Sequence, residues 1–180
     1  YILRDDVRTH GSGNAGLTNF YRTFGGPLTF VVILTDVLKA VLALLIGSWL
    51  FVHFQAETAL FGKYFSGLFC LIGHMFPCMF HFKGGKGILS GGTVAIMIDW
   101  RLALIAWGAF LLATALTRYV SFGSICAAAA FPVVTAFLFR DTSLIILSAA
   151  IGGLILYMHR ANIGRLLRGQ ENRFSFRRKT

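Results

Sequence analysis

Long apolar stretches are the feature that most constrains how this chain can fold. A helix needs about 20 mostly apolar residues to cross the hydrocarbon core of a bilayer. Residues 27–52, 59–80 and 119–139 reach that length. Only 13% of the residues are charged, whereas soluble domains average about 25%. The pattern therefore predicts a protein whose helices lie within a membrane.

The chain has six apolar segments in all, and the three not yet named are shorter: 87–98, 102–116 and 143–158. The segment 87–98 is too short to span a bilayer alone, and Pro132 is expected to kink the segment 119–139. The sequence predicts an all-α integral membrane protein. We expect a polytopic helical bundle of about six spans, forming a single domain over residues 1–180.

Basic residues are distributed unevenly among the connections between these segments. If the six spans alternate, 13 of the 17 Lys and Arg residues lie on one side, which holds residues 1–26, 81–86, 117–118 and the tail from 159. Positively charged loops mark the cytoplasmic side of membrane proteins. The bias places these segments in the cytoplasm. It also argues against a nucleic-acid binder, because the basic residues sit in short loops between spans.

The segment GSGNAGLTNFYR, residues 11–22, combines glycines with neutral polar side chains. Glycine lets the backbone approach a ligand, and Ser and Asn supply hydrogen bonds. Arg22 can make bidentate contacts to phosphate. The alternative interpretation is a polar amino-terminal loop. The candidate residues are Ser12, Gly13, Asn14, Asn19 and Arg22.

The segment HFKGGKG, residues 81–87, is a cationic turn between two apolar segments. Gly84, Gly85 and Gly87 surround Lys86 at the start of an apolar helix. Exposed backbone N–H groups, a lysine and a helix amino terminus together favour an anion such as phosphate. The alternative is an ordinary turn whose lysines follow the topology rule.

The segment MHRANIGRLLRGQENRFSFRRK begins where the sixth span ends. His159 and Asn162 are three residues apart and share a helical face. Arg165 and Arg168 extend the same spacing, which predicts a basic, amphipathic surface helix followed by a basic tail. For the tail, from Arg173 onward, binding to anionic lipid headgroups is sufficient explanation.

Isolated polar residues also occur inside the apolar segments. Ser121 and Ser124 open the fifth span, where a serine usually bonds its own helix backbone. Asp36 and Lys39 are three residues apart and could pair within the membrane. His74 either lines the site or is a satisfied helix histidine.

Together, GSGNAGLTNFYR, HMFPCMFHFKGGKG and HRANIGRLLRGQEN resemble the three signature regions of the bacterial PlsY family. Members of that family are integral membrane glycerol-3-phosphate acyltransferases that use acyl phosphate. DDVRTHGSGN and LTDVLKA resemble its flanking sequence, whereas Leu17 and Gly164 depart from its usual residues. The family is a seven-span bundle, so the resemblance implies a further span preceding Tyr1.

The resemblance implies transfer of an acyl group from acyl phosphate to the 1-hydroxyl of glycerol-3-phosphate. The products would be lysophosphatidic acid and phosphate, in the first acylation step of phospholipid synthesis. The implied catalytic residues are Ser12, Arg22, Lys86, His159 and Asn162. The implied substrate-binding residues are Gly13, Asn14, Asn19, Gly84, Gly85, Gly87 and Ser124.

The resemblance also implies partners and a location. The partners are the two substrates, the lipid bilayer and an enzyme that forms the acyl phosphate, with no cofactor, metal or nucleic acid. The protein is expected as a multi-pass protein of the bacterial cytoplasmic (inner) membrane, with its active site facing the cytoplasm.

The residues themselves bear on the chemistry. The H-x-x-x-x-D pair of acyl-CoA-dependent acyltransferases is absent, since no histidine has an Asp five positions later, and there is no G-x-S-x-G motif. The general base is either His159 or a phosphate group of the substrate. The competing function is a membrane transporter for phosphate or an organophosphate, for which Asp36 and Lys39 are the mid-span charges.

Overall fold

The computed structural model describes residues 5–54 and 56–174, and every regular element in these ranges is helical. Two short 3₁₀ helices, Val7–Thr9 and Cys78–Phe80, lie in connecting segments. The α-helices of the described residues are α1 Leu17–Thr23, α2 Leu28–His53, α3 Ala59–Met75, α4 Ile88–Ile98, α5 Trp100–Thr117, α6 Val120–Phe139, α7 Thr142–Met158 and α8 Arg160–Leu167. The all-α prediction is confirmed.

Each of the six predicted apolar segments overlaps one of the helices from α2 to α7, and the bounds of α2, α5 and α7 extend one or two residues beyond the prediction. Within the described residues, 4 helical segments are long and apolar enough to cross a membrane: α2, α5, α6 and the segment Ala59–Phe80. The pair α7 and α8 would make a fifth, with a bend of 59° between them. Helix α4 is apolar but only 11 residues long. The figure of about six spans stays a prediction.

The second predicted span, residues 59–80, is interrupted. Helix α3 ends at Met75, and Phe76 leaves the helical conformation with φ −128° and ψ 57°. Phe76 precedes Pro77, whose ring disfavours a helical conformation in the residue before it. Pro132 behaves differently, because α6 continues through it to Phe139. The proline predicted to kink a span therefore does not end its helix, whereas Pro77 follows directly after a helix end.

Three of the described α-helices begin at a side-chain cap. Side-chain oxygens of Thr58, Asp99 and Asp141 accept hydrogen bonds from first-turn N–H groups of α3, α5 and α7 at 3.1, 2.8 and 3.0 Å. The first N–H groups of a helix have no acceptor within it, so each cap satisfies one of them. These caps define where the helices start after short connections.

The chain divides into two compact units, residues 1–94 and 95–180. In the first unit α2 packs on α3 at a pair of glycines. A Cβ on Gly47 would lie 2.4 Å from Ser66 Cβ, and one on Gly62 would lie 2.8 Å from the Gly47 carbonyl oxygen. Small residues allow such close helix approach, which is a common way for helices to associate in membranes.

In the second unit α6 contacts both α5 and α7. Pro132 has no N–H, so it leaves the carbonyl of Ala128 without its helical donor. A Cβ on Gly152 of α7 would lie only 2.6 Å from that carbonyl oxygen. The outward faces remain apolar, with Leu116 76% and Phe137 79% exposed. Such faces suit a lipid environment.

Candidate active site

Asn19 organises the first polar loop. Its Nδ2 donates to the carbonyl oxygens of Val7, His10 and Asn14 at 2.9, 3.0 and 3.0 Å. Its Oδ1 accepts from the Ser12 N–H at 2.9 Å. The side chain is buried, with 3% exposed. Asn19 thus commits its amide to the backbone, so its part in the predicted site is to shape the loop.

The glycines beside Ser12 take backbone conformations that favour glycine. Gly11 has φ +55° and Gly13 has φ +69°. A Cβ on Gly11 would also lie 2.4 Å from Asn19 Oδ1. Ser12 is exposed on this loop, and so is Arg22 in the last turn of α1. The loop is held by one buried amide and leaves both candidate ligand-binding side chains exposed.

Arg8 joins the start of this loop to the 3₁₀ helix Cys78–Phe80. Its Nη1 donates to the Phe80 carbonyl oxygen at 3.2 Å, and its guanidinium lies 5.1 Å from the centre of the Phe80 ring. Asp6 holds Arg8 from the other side, accepting from Nη2 at 2.6 Å and from Nε at 2.9 Å. These bonds lower the pKa of the Asp6 carboxyl from its ordinary value of 3.8 to about 2.

Asn14 connects the first loop to the glycine-rich turn. Its Oδ1 accepts from the Gly16 N–H at 2.9 Å, which closes a local turn. Its Nδ2 donates to the Gly84 carbonyl oxygen at 3.4 Å. Two of the three predicted signature segments therefore meet within the first unit.

The glycine-rich turn differs from its prediction in how it uses its N–H groups. The N–H of Gly84 donates to the Met75 carbonyl at 3.0 Å, and that of Gly85 donates to the His74 carbonyl at 3.2 Å. These two groups are consequently bonded to the end of α3 and are not exposed for an anion. Gly87 takes φ +76°, and α4 begins directly after it. The first-turn N–H groups of a helix remain the local backbone feature that favours an anion.

The two lysines of this turn lie in different surroundings. Lys83 is exposed at the end of the loop, whereas Lys86 is half-buried between the buried residues Gly85 and Gly87. A half-buried ammonium interacts more strongly with an anion than a fully solvated one, because water screens it less. Lys86 is accordingly the better candidate for binding phosphate.

His159 lies at the junction of α7 and α8, in the second unit. It is 2% exposed, and its Nδ1 is 2.8 Å from the carbonyl oxygen of Ile155. A carbonyl oxygen can only accept, so Nδ1 carries a hydrogen, and in the neutral ring Nε2 then carries the lone pair. This tautomer is the one that can accept a proton at Nε2.

Asn162 is held by Glu171, an acidic residue outside the predicted set. Asn162 Nδ2 donates to Glu171 Oε1 at 2.9 Å, and Arg165 Nε donates to Glu171 Oε2 at 2.8 Å. The Glu171 side chain is 7% exposed, and Asn162 is 5% exposed. A lone carboxylate in a strongly basic segment is the signal that could have identified Glu171.

Ser124 bonds its own helix backbone, as expected for a serine inside an apolar helix. It is 2% exposed, and its hydroxyl donates to the Val120 carbonyl one turn earlier at 2.9 Å. The neighbouring Ser121 is 8% exposed, and its hydroxyl has no hydrogen-bond partner among the described residues. A hydroxyl also has two acceptor lone pairs, so Ser124 keeps acceptor capacity after making this bond.

The basic tail partly returns to the second unit. Arg173 Nε donates to the Tyr119 hydroxyl at 3.4 Å, and the Phe174 N–H donates to the Arg118 carbonyl at 2.7 Å. The bond to the Tyr119 hydroxyl raises the pKa of Arg173. Arg173 thus has a contact within the protein, and the predicted headgroup-binding residues beyond Phe174 lie outside the described residues.

The predicted residues accordingly form two groups. In the first unit, residues 12–22 and 84–87 are joined through Asn14. In the second unit, α8 contacts both α6 and α7, the helices that carry Ser124 and lead to His159. The predicted pairing of Asp36 with Lys39 is also confirmed.

Known proteins match this chain over nearly its whole length. The family model "Glycerol-3-phosphate acyltransferase" matches residues 1–169. The glycerol-3-phosphate acyltransferase of Fusobacterium nucleatum is 39% identical over 171 residues, covering 95% of this chain and 85% of the relative. That of Thermoanaerobacter pseudethanolicus is 37% identical over 173 residues, covering 96% and 84%.

Solved structures agree with the sequence matches. One is the crystal structure of PlsY, an integral membrane glycerol 3-phosphate acyltransferase, in its glycerol 3-phosphate form. It has a TM-score of 0.83 and 33% identity, and the match covers 97% of this chain and 84% of that one. The lysophosphatidic acid form has a TM-score of 0.78 and 33% identity, covering 92% and 82%. On sequence and fold alike, this chain belongs to the PlsY family of integral membrane glycerol-3-phosphate acyltransferases.

Proposed function

We infer that this chain is an enzyme that acylates glycerol-3-phosphate in a membrane. The observation that carries this conclusion is the family match over residues 1–169, because this range includes every candidate site residue of the three segments. The two relatives compared above are acyltransferases by name. A phosphate or organophosphate transporter is therefore not favoured.

We propose that acyl phosphate is the donor. The chain lacks the H-x-x-x-x-D pair that serves acyl-CoA-dependent enzymes. An acyl phosphate is a mixed anhydride and is already activated, so positioning and charge neutralisation can supply much of the catalysis. The 1-hydroxyl oxygen of glycerol-3-phosphate attacks the acyl carbon, the bond from that carbon to the phosphate oxygen breaks, and inorganic phosphate leaves. The hydroxyl proton passes to a base.

Residues of the first unit are proposed to hold the phosphate groups. Arg22 is an exposed guanidinium suited to bidentate phosphate binding, and Lys86 is a half-buried ammonium beside two glycines. Ser12 contributes a hydroxyl from a loop in which its own N–H is already bonded to Asn19. Asn14, Asn19 and the glycines keep these groups in place. Both substrates carry phosphate, which accounts for a site rich in basic and glycine residues.

Residues of the second unit are proposed to act in the same reaction. His159 Nδ1 bonds a carbonyl, so Nε2 carries the lone pair that can receive the hydroxyl proton. A substrate phosphate oxygen is the other base, since the second pKa of a phosphate ester is about 6. Asn162 and Ser124 are proposed to bind substrate. Replacing His159 with Gln distinguishes the bases, because only a histidine base would remove a pKa from the pH–rate profile.

We propose that the chain is a single catalytic domain in the bacterial cytoplasmic membrane, with its active site facing the cytoplasm. The support is the charge bias, 13 of 17 basic residues on one predicted side. An enzyme that forms acyl phosphate is the expected partner, because the donor must be supplied at the membrane surface. Labelling of Lys83→Cys and Arg173→Cys in sealed vesicles tests the orientation. The exposed Cys78 must first be replaced to remove background.

The test of the enzymatic function uses purified protein in lipid nanodiscs and proteoliposomes. We expect labelled glycerol-3-phosphate to enter organic-extractable lipid when acyl phosphate is present, and an Arg22→Ala control to lose most of this activity. Accumulation of unmodified glycerol-3-phosphate inside proteoliposomes, without lipid product, would instead establish a transporter.

A further inference from the structure

Three ionisable residues form a polar cluster, defined here as Asp36 and Lys39 of α2 with His74 of α3. Lys39 Nζ is hydrogen-bonded to both Asp36 Oδ1 and His74 Nδ1. His74 Nδ1 also lies 3.5 Å from Asp36 Oδ1, and the two side chains are 11% and 13% exposed. Ionisable groups within membrane helices are costly to bury, which points to a function for them.

The chemistry of the cluster orients the His74 ring. A lysine ammonium has three donors and no acceptor, so Nδ1 of His74 is the acceptor in this contact. The ring proton then sits on Nε2, at the opposite edge. Asp36 neutralises the ammonium, which makes the arrangement compatible with an apolar surrounding.

The opposite edge of the same ring lies against the glycine-rich turn. A Cβ on Gly85 would be 2.2 Å from His74 Nε2 and 2.8 Å from Cε1. The His74 backbone holds this glycine too, because its carbonyl accepts the Gly85 N–H at 3.2 Å. The next residue in the chain is Lys86. His74 therefore contacts the residue before the candidate phosphate-binding lysine with both its backbone and its side chain.

The cluster also contacts the segment that follows Lys86. Ser90, fully buried in the first turn of α4, lies with its hydroxyl oxygen 3.5 Å from the Asp36 carbonyl oxygen. Gly85 and Gly87 have no side chains with which to fix the backbone on either side of Lys86. The position of Lys86 must consequently come from contacts of the surrounding residues. Before Lys86, Gly85 contacts His74, and after it, Ser90 contacts Asp36.

We propose that Asp36, Lys39 and His74 are positioning residues, which set the glycine-rich turn so that Lys86 meets the phosphate group of a substrate. The proposal rests on the proposed function. It explains why α2 carries two charged residues in an otherwise apolar helix. A displacement of about 1 Å at such a contact can cost as much as 100-fold in rate.

The kinetic test compares His74→Ala with a matched histidine outside the cluster, His53→Ala. His53 stacks on Trp49 at the end of α2. We expect His74→Ala to raise KM for glycerol-3-phosphate or acyl phosphate by about tenfold, and His53→Ala to leave both unchanged. His74→Asn keeps an acceptor for Lys39 and should recover part of the loss. A change below fivefold in both KM values would overturn the proposal. If His74→Ala does not accumulate, Asp36→Asn, which removes the charge that pairs with Lys39, provides the same comparison with His53→Ala.

A double substitution tests the contact between the ring and the glycine. Gly85→Ala places a Cβ within 2.2 Å of His74 Nε2, so this variant should lose activity. Removing the ring as well, in Gly85→Ala with His74→Ala, should relieve the overlap and raise kcat/KM above that of Gly85→Ala alone. A double variant as poor as Gly85→Ala, or poorer, would count against the contact.

Hydrogen exchange separates failure of this proposal from failure of the proposed function. In purified protein without substrate, His74→Ala should speed exchange of the Gly84 and Gly85 amides at least tenfold, while residues 160–167 keep their wild-type rates. Unchanged exchange in the turn would overturn the positioning role even in an active enzyme. Faster exchange in a protein whose wild type acylates no glycerol-3-phosphate would support the role and reject the proposed function.

Discussion

The two regions that carry the candidate residues hold them in opposite ways. In the first unit the buried Asn19 supports the loop, while Ser12 and Arg22 remain exposed. In the second unit His159 and Asn162 are themselves buried, and a carbonyl and Glu171 hold them. The first region separates side chains that maintain structure from those exposed to a ligand. Substitutions of the exposed side chains of the first region should therefore lower activity without lowering stability, whereas substitutions in the second region should lower both together.

The largest expected effect is a loss of activity without a loss of stability, at Lys86. A hydrogen bond to a charged group contributes roughly 1.5–3 kcal/mol. At about 1.4 kcal/mol per tenfold, Lys86→Ala should reduce kcat/KM by about 10- to 100-fold or more. Arg22→Ala should behave similarly. The measurement is kcat/KM for glycerol-3-phosphate, normalised to folded protein in the membrane.

Lys83→Ala is the matched control for Lys86→Ala, because Lys83 belongs to the same turn and is exposed. We expect its kcat/KM to stay within about threefold of wild type, as is usual for an exposed charge. Equal and small losses for both lysines would make the turn purely structural.

Asn19, which maintains the loop of the first region, should affect loop stability and, through it, activity. Asn19→Ala removes four hydrogen bonds to the loop backbone. These bonds are part-buried, and a hydrogen bond of this kind contributes about 0.5–1.5 kcal/mol. We expect amide exchange across residues 7–14 to rise and activity to fall by about tenfold. The exposed Asn172 is the control, and comparable loop exchange in Asn19→Ala and Asn172→Ala would refute the role given to Asn19.

In the second region one substitution should lower stability and activity together. Glu171→Gln keeps an oxygen for Asn162 but loses the charge that pairs with Arg165. We expect Tm to fall by roughly 3–10 °C, given about 2–4 °C per kcal/mol for a chain of this size, and activity to fall several-fold. Glu57→Gln changes the same residue type at an exposed position and should shift Tm little. Full activity with a lowered Tm would show that stability and activity are separable in the second region too, which would contradict the expected difference between the two regions.

The smallest expected effect is pH-dependent and lies at Asp6. The pKa of its carboxyl falls from 3.8 to about 2 in the folded protein. Ionised Asp6 therefore stabilises the fold above about pH 4, and this contribution is lost as the pH falls towards 2. Asp6→Asn should loosen residues 5–10 slightly at pH 6 and differ less from wild type at lower pH. If the difference between Asp6→Asn and wild type grew as the pH was lowered, the stabilising role given to ionised Asp6 would be contradicted.

The helices could be predicted from sequence because hydropathy is a local property. Every segment from 27–52 to 143–158 contains a helix, and the exception at residues 76–80 follows from Pro77. The hydrogen bonding of the N–H groups in the glycine-rich turn could not be predicted from hydropathy. These N–H groups are bonded to carbonyls at the end of α3, and that pairing depends on packing between distant residues.

The candidate site shows the same limit. The sequence predicts Ser12, Arg22 and Lys86 as site residues because their side chains suit phosphate, which is a property of residue type. Glu171 is not among the predicted residues, and its role becomes visible through its bonds to Asn162 and Arg165. His74 could not be assigned from its spacing, because its contacts are with Lys39 and Gly85, each distant from it in the sequence.

The most direct test of the central claim is donor use by purified wild-type protein with glycerol-3-phosphate. We predict that lysophosphatidic acid and inorganic phosphate appear in equal amounts with acyl phosphate, and that acyl-CoA supports no turnover in preparations free of acyl phosphate. Comparable turnover with acyl-CoA alone, or phosphate release without lysophosphatidic acid, would contradict the account.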